Sequence, residues 1–285
     1  MRQFVSAALP NSKGLLEIAG KDFHYLRNVL RLQVGDMAPV SVPGGRLLQT
    51  TVCRVDDAAK KITLQVCAAR EQDDSQESSA AAVASGPRTF MTLLQFIPKP
   101  QKMELIVRQA TECGIANIVP VIGEYTQAGS EKALQKSDRF ERIIREARQQ
   151  SGSQVETKIF EPQKLERALE LIEGGDFGQE QNSLQGQEAA AATFSSAPAA
   201  KIVLYERGEK TMPLSAALGL SADCGNKEKP GACVFAIGSE GGISPAEFEL
   251  LLERGFKAVH FNTNILRCET AALYAAAAIQ SALDN

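Results

Sequence analysis

The chain has 285 residues, of which 44% are hydrophobic and 23% charged, and its formal net charge is −3. At roughly 150 residues per domain the length suggests about two domains, and the composition excludes wholesale disorder. No apolar run approaches the roughly 18–20 residues of a membrane span. The start, with one Arg and a brief apolar stretch before Pro10, makes a poor secretory signal. The expectation is a cytoplasmic protein with no membrane partner.

The charge is unevenly spread. Residues 1–70 carry a net +5 and residues 88–160 a net +3, whereas residues 71–87 hold 4 acids and no base, residues 161–200 a net −5 and residues 201–285 a net −2. A basic first half fits contact with a polyanion, though solvated surface charge produces the same asymmetry. The six cysteines, Cys53, Cys67, Cys113, Cys224, Cys233 and Cys268, form no CxxC pair, and the histidines are His24 and His260 alone. Zinc-ligand spacing is therefore missing, no metal is expected, and reduced thiols are the reading.

In chain order, residues 1–70 read as mostly strand. Short runs rich in Val, Ile, Leu and Thr are separated by Pro43-Gly44-Gly45 and by residues 56–61, turn signals at hairpin spacing. One helix is predicted at 22–32, and a small β-barrel is the natural architecture. Residues 71–87 lack apolar periodicity and read as a flexible linker. From Arg88 strands alternate with helices. Strands are predicted at TFMTLLQF, NIVPVI, VETKIF, KIVLYE, CVFAIG and AVHFN. Helices are predicted at about 101–113, 137–150, 163–173, 245–254 and 268–283, and residues 174–200 read as a low-complexity insertion. That alternation predicts a parallel sheet covered on both faces.

Two segments carry the chemistry. In IGSEGGISPAEFELL, residues 237–251, a strand runs into a glycine-rich loop, and Ser244, Pro245 and Glu247 then open a helix as cap, first position and capping box. Such a loop either admits a nucleotide-like ligand close to the backbone or is simply a tight turn. It is neither a dinucleotide fingerprint nor a triphosphate loop. In AVHFNTNILRCETAALYAAAAIQ, residues 258–280, a strand leads through Arg267 and Glu269 into an alanine-rich helix. The Arg–Glu pair reads as structural or functional, and the helix as a dimer face or a buried core helix.

Taken in order, these two segments with DFHYLRNVLRLQVGD (22–36), FIPKPQKMELIVRQATECGIANIVPV (96–121) and EARQQSG (146–152) resemble the SPOUT class of RNA methyltransferases. The closest resemblance is to the family of ribosomal RNA small subunit methyltransferase E, which acts on uridine N3. The sequence departs from the family's usual pattern at Ser239, at Asn262-Thr263-Asn264, at Ser153 and at Glu124-Tyr125-Thr126.

The resemblance implies an amino-terminal PUA-like β-barrel (1–70) for RNA binding, a linker (71–87) and a trefoil-knotted α/β SPOUT domain (88–285) with the insertion at 174–200. It also implies a homodimer, S-adenosylmethionine as methyl donor, and small-subunit 16S ribosomal RNA as substrate. The cofactor is expected against Leu204, Gly238, Gly241, Phe261, Ile265, Leu266 and Thr270, and RNA phosphates at Arg27, Arg31, Lys99 and Lys102. Methylation requires N3 to lose its proton, leaving negative charge over O2, N3 and O4 that a cation would stabilise. Arg267 is assigned that role. Glu240 is assigned either that of base or that of fixing the loop. The departures keep two other readings open: a SPOUT enzyme acting on a ribose 2′-hydroxyl or on transfer RNA, and an RNA-binding assembly factor that has lost catalysis.

Overall fold

A computed structural model describes residues 3–67, 89–134, 137–174, 199–206, 210–220 and 229–284. The expected linker, 71–87, and all of the expected insertion but its ends lie outside the described residues. The chain divides into two units, one taking residues 1–85 with 148–156, the other 86–147 with 157–285.

In the first unit β1 (Phe4–Val5), β2 (Leu15–Ala19), β3 (Met37–Ser41), β4 (Leu47–Asp56) and β5 (Lys61–Val66) form a sheet in the order β1-β3-β4-β5-β2. The β1–β3 pairing is parallel and the others are antiparallel. Period-2 alternation buries Ile62 and Leu64 of β5 and Leu16 and Ile18 of β2 in one core, as a half-covered sheet requires. The β4–β5 turn is tied by Asp56, whose carboxylate accepts from the Ala59 N–H at 2.9 Å.

The helix predicted at 22–32 is shorter and changes pitch. α1 (Lys21–His24) continues as a π-helical turn at Tyr25–Val29, where the Leu30 N–H donates to the Tyr25 carbonyl. Arg31, at φ 57, then leaves the helical region. The π turn keeps Phe23 and Leu26 in the core, an arrangement propensity does not announce.

Residues 148–156 complete this unit. The Gln3 carboxamide donates to the carbonyls of Arg148 (3.2 Å) and Ser153 (2.8 Å), and the Gly44 N–H donates to Glu156 at 3.0 Å. Burial pushes the Arg148 guanidinium below its ordinary range, with Glu156 acting in the opposite direction.

In the second unit the described strands are β6 (Phe90–Phe96), β7 (Asn117–Ile122), β8 (Lys158–Ile159), β9 (Gln163–Lys164), β10 (Ala199–Leu204), β11 (Ala232–Ile237) and β12 (Lys257–Val259). They form one sheet in the order β12-β10-β11-β6-β7-β8, with β9 also on β7, and every pairing is parallel. Both faces are covered. Met91 and Leu93 of β6 and Cys233, Phe235 and Ile237 of β11 pack with α2 (Pro100–Glu112) and α8 (Cys268–Asp284). Leu94, Phe96, Val234 and Ala236 pack on the other side with α5 (Leu165–Gly174) and α7 (Pro245–Glu253). This two-sided burial explains why these strands read as continuous apolar runs.

The parallel sheet predicted for this part is thus present, and α4 (Ser137–Ser151) starts where expected. The strand predicted at VETKIF shrinks to β8, because Thr157 turns its hydroxyl to the Ile115 carbonyl at 2.7 Å. The short α3 (Ser130–Leu134) and α6 (Leu214–Ala217) and strand β9 were not predicted. They are too brief to show a period.

Candidate active site

Ligands of open α/β sheets bind beyond the carboxyl ends of the strands. At that end of β10, β11 and β12 lies an open cleft of about 110 Å³, lined among others by Leu204, Gly238, Phe261, Ile265 and Leu266. These five are cofactor residues expected from the sequence. Gly241 and Thr270, expected with them, are not among the lining residues. Tyr205, Glu206, His260 and Cys268 also line the cleft and were missed. Tyr205, His260 and Cys268 each adjoin an assigned residue and Glu206 lies two beyond Leu204, so adjacency was the available signal.

The glycine loop is shaped by backbone contact. A Cβ on Gly238 would lie 2.7 Å from the Gly242 carbonyl carbon, and one on Gly241 would lie 2.8 Å from Tyr125 Cβ. Gly242 itself has φ 81, a region glycine enters without steric cost. The base of the loop is pinned by Gln95, whose amide donates to the carbonyls of Ile237 (3.3 Å) and Gly238 (3.2 Å). At its far end Ser244 and Glu247 form the predicted capping box. Glu247 also accepts from the Glu124 N–H at 2.7 Å, which sets the Glu124-Tyr125-Thr126 segment beside the loop. The Thr126 hydroxyl accepts from the Gly123 N–H at 2.9 Å.

A charged cluster joins three segments. Lys102 Nζ, from the first turn of α2, lies 3.4 Å from Glu240 Oε1 and 3.4 Å from Glu269 Oε2. Glu240 also accepts from the Lys99 N–H at 3.2 Å, and the Cys268 thiol donates to Glu269 at 3.2 Å. Burial opposes charging Lys102, but Cys268, Glu240 and Glu269 outweigh it and hold the ammonium above its ordinary range. Burial likewise opposes ionising Glu269. Hydrogen bonds from its own backbone, from Cys268 and from Lys102 win, and its carboxyl is held below the ordinary range. Burial and then the Glu269 carboxylate push the Cys268 thiol up to about 12, with Lys102 pulling the other way.

The remaining expected residues stand as follows. Arg267 is exposed on the segment between cleft-lining Leu266 and Cys268. The side chain of Lys99 is exposed. In the first unit, Arg27 pairs with Asp57 at 3.2 Å, whereas Arg31 is exposed. Of the α4 arginines, Arg139 pairs with Glu104 at 2.8 Å and Arg142 with Glu146 at 3.8 Å. No cluster of metal-ligating side chains occurs among the described residues, and no helix there is long and apolar enough to cross a membrane.

The chain has relatives among known proteins. A family model described as an RNA methyltransferase domain matches residues 86–280. The ribosomal RNA small subunit methyltransferase E of Aquifex aeolicus is 30% identical over 213 residues, covering 73% of this chain and 77% of that protein. Its namesake from Bacillus subtilis is 24% identical over 264 residues, covering 92% and 88%. Among solved structures, the methyltransferase of the same name from Neisseria gonorrhoeae, bound to S-adenosyl methionine, superposes with a TM-score of 0.70. The identity is 21% and the coverage 99% and 97%, which establishes the shared fold. The chain therefore belongs to the RNA methyltransferase domain family, among the relatives called ribosomal RNA small subunit methyltransferase E.

Proposed function

We propose that the protein methylates uridine N3 in the small-subunit 16S ribosomal RNA, using S-adenosylmethionine. The carrying observation is the convergence of the glycine loop and the 260–268 segment on one cleft at the strand ends. The cleft suits the cofactor: its apolar walls match an adenosine, and the Gly242 backbone leaves no room for a side chain at cleft-lining Gly238. S-adenosylmethionine supplies an electrophilic methyl on a sulfonium leaving group, so the protein's task is chiefly to align acceptor and donor.

Leu204, Gly238, Phe261, Ile265 and Leu266 hold the adenosine, with Gly241 shaping the loop behind it and Thr270 bounding the site. Arg267 stabilises charge developing on the uracil as N3 loses its proton. Glu240, anchored by the Lys99 N–H, is the candidate base. Arg31 and Lys99 meet RNA phosphates, and Arg27 does so in competition with Asp57.

The same reading makes the first unit a PUA-like barrel over residues 1–70 and the SPOUT domain a trefoil knot over 88–285. It further makes the protein a cytoplasmic homodimer that works without a metal. Leu273 and Tyr274, 36% and 45% exposed on α8, support a subunit contact there.

The test is methylation of small ribosomal subunits from a strain lacking this activity, with mass mapping of the product. 3-Methyluridine in 16S RNA is expected. A ribose-methylated nucleotide, or a methylated transfer RNA, overturns the base and substrate assignment. Absence of S-adenosylmethionine binding by calorimetry overturns the methyltransferase reading as a whole.

A further inference from the structure

Lys102 sits at the start of α2 and reaches two carboxylates from distant parts of the sequence. Glu240 lies in the glycine loop and Glu269 in the first turn of α8. We propose that Lys102 is a positioning residue that holds Glu240 and Glu269 together as an ionised carboxylate pair at the lip of the cleft, and is not a contact for RNA phosphate. The inference deepens the methyltransferase reading and rests on it.

Three observations support it. First, the ammonium is already committed. Each carboxylate oxygen is 3.4 Å from the same Nζ, and the side chains of Lys102, Glu240 and Glu269 are 29%, 32% and 14% exposed. A phosphate could reach the ammonium only by displacing a carboxylate, and one lysine with two glutamates leaves a negative cluster that repels it. Second, each carboxylate is held independently in a fixed direction. The Lys99 N–H donates to Glu240 and the Cys268 thiol donates to Glu269. Third, the cluster borders the cleft. Ser239, just before Glu240, and Cys268, just before Glu269, both line it.

The groups facing the pair are therefore the Lys102 ammonium, the Lys99 backbone N–H and the Cys268 thiol, with Arg267 two residues before Glu269. Without the ammonium, two like charges no farther apart than twice the Lys102 distance face each other uncompensated. One of them must then take up a proton at higher pH. A carboxylate that already carries a proton cannot accept the one from N3, so the acid side of the pH profile reports on the pair. Lys102 thus sets the protonation state of the lip without touching the uracil.

The experiment compares the full-length protein with Lys102→Met and Lys102→Arg. Three quantities are read: the pH profile of kcat on small ribosomal subunits, the salt dependence of RNA binding, and the titration of ¹³C-labelled glutamate carboxylates. Glu240→Gln and Glu269→Gln assign the signals. Thermal unfolding confirms that each variant is folded. Lys102→Met is expected to move the acidic limb of the profile upward by about one unit, which lowers kcat about tenfold on that limb, and to leave the salt slope unchanged. Lys102→Arg is expected to restore rate and profile.

A salt slope reduced by about 1 with an unmoved profile identifies a phosphate contact and overturns the proposal. So does a Lys102→Met enzyme with unaltered rate and profile. If the wild-type protein transfers no methyl group, the methyltransferase reading fails by itself. The carboxylate titration still decides the proposal, which is overturned if neither signal moves upward in Lys102→Met.

Discussion

The carboxylate of Glu247 accepts the backbone N–H of Glu124 at 2.7 Å through one oxygen and the N–H of Ser244 at 2.9 Å through the other. One side chain thereby fastens the glycine loop's exit to the loop after β7. Glu247→Ala removes a capping contact and leaves the Glu124 N–H without its acceptor. A loss of about 1–2 kcal/mol is expected, read as a lower urea midpoint at unchanged slope. Glu247→Gln keeps one acceptor oxygen and is expected to recover part of it. Equal midpoints for the wild type and Glu247→Ala would remove the joint from the account.

Gly238 and Gly241 differ in what opposes a side chain. At Gly238 the added carbon meets Gly242 backbone at 2.7 Å, whereas at Gly241 it meets the side chain of half-exposed Tyr125 at 2.8 Å. Tyr125 Cβ is fixed to its own backbone, so rotation relieves neither clash, but Gly238 lines the cleft and Gly241 does not. Gly238→Ala is therefore expected to weaken S-adenosylmethionine binding at least tenfold by calorimetry, and Gly241→Ala only a few-fold. The reverse order would show that Gly241, not Gly238, governs cofactor binding.

Thiol labelling separates the cysteines. Burial pushes the Cys233 thiol up to about 12, and burial with Glu269 does the same for Cys268, whereas Cys53 is exposed. At pH 8 a thiol titrating near 12 is ionised in about one molecule in 10⁴, and the thiolate is the reactive form. Iodoacetamide on the native protein is expected to modify Cys53 first and to leave Cys233 and Cys268 unmodified over the same interval, by peptide mass mapping. Rapid Cys268 alkylation would contradict its environment.

In the first unit Arg31 and Arg27 are distinguishable by salt. Arg27 is already paired with Asp57 at 3.2 Å, while no ion pair to Arg31 forms among the described residues. Arg31→Ala is expected to reduce the salt slope of RNA binding by about 1, and Arg27→Ala by less. Unchanged slopes for both would remove this unit from phosphate recognition.

The sequence carried much of this architecture because its signals are local and periodic. The two-sided burial of β6 and β11 shows as unbroken apolar runs, and the Ser244–Glu247 cap shows as a four-residue pattern. Five of the seven cofactor residues expected from family resemblance line one cleft. What stayed hidden depends on three-dimensional meeting points. Family resemblance presents Lys102 as a cation for RNA. Only the fold reveals that Glu240 and Glu269, more than a hundred residues away in sequence, already neutralise it. The π turn at Tyr25–Val29 was illegible for a similar reason, since core packing of Phe23 and Leu26 outweighs helical propensity there.

The first unit is not encoded by one continuous stretch, since residues 148–156 belong to it. A gene segment ending before residue 148 would specify an incomplete body. Gln3 would lose the carbonyls of Arg148 and Ser153, and Gly44 would lose Glu156. Recombination that exchanged residues 1–87 between distant relatives would have to bring a compatible 148–156 with it. Inheritance of the first unit is thereby tied to a stretch of gene that codes mostly for the other one.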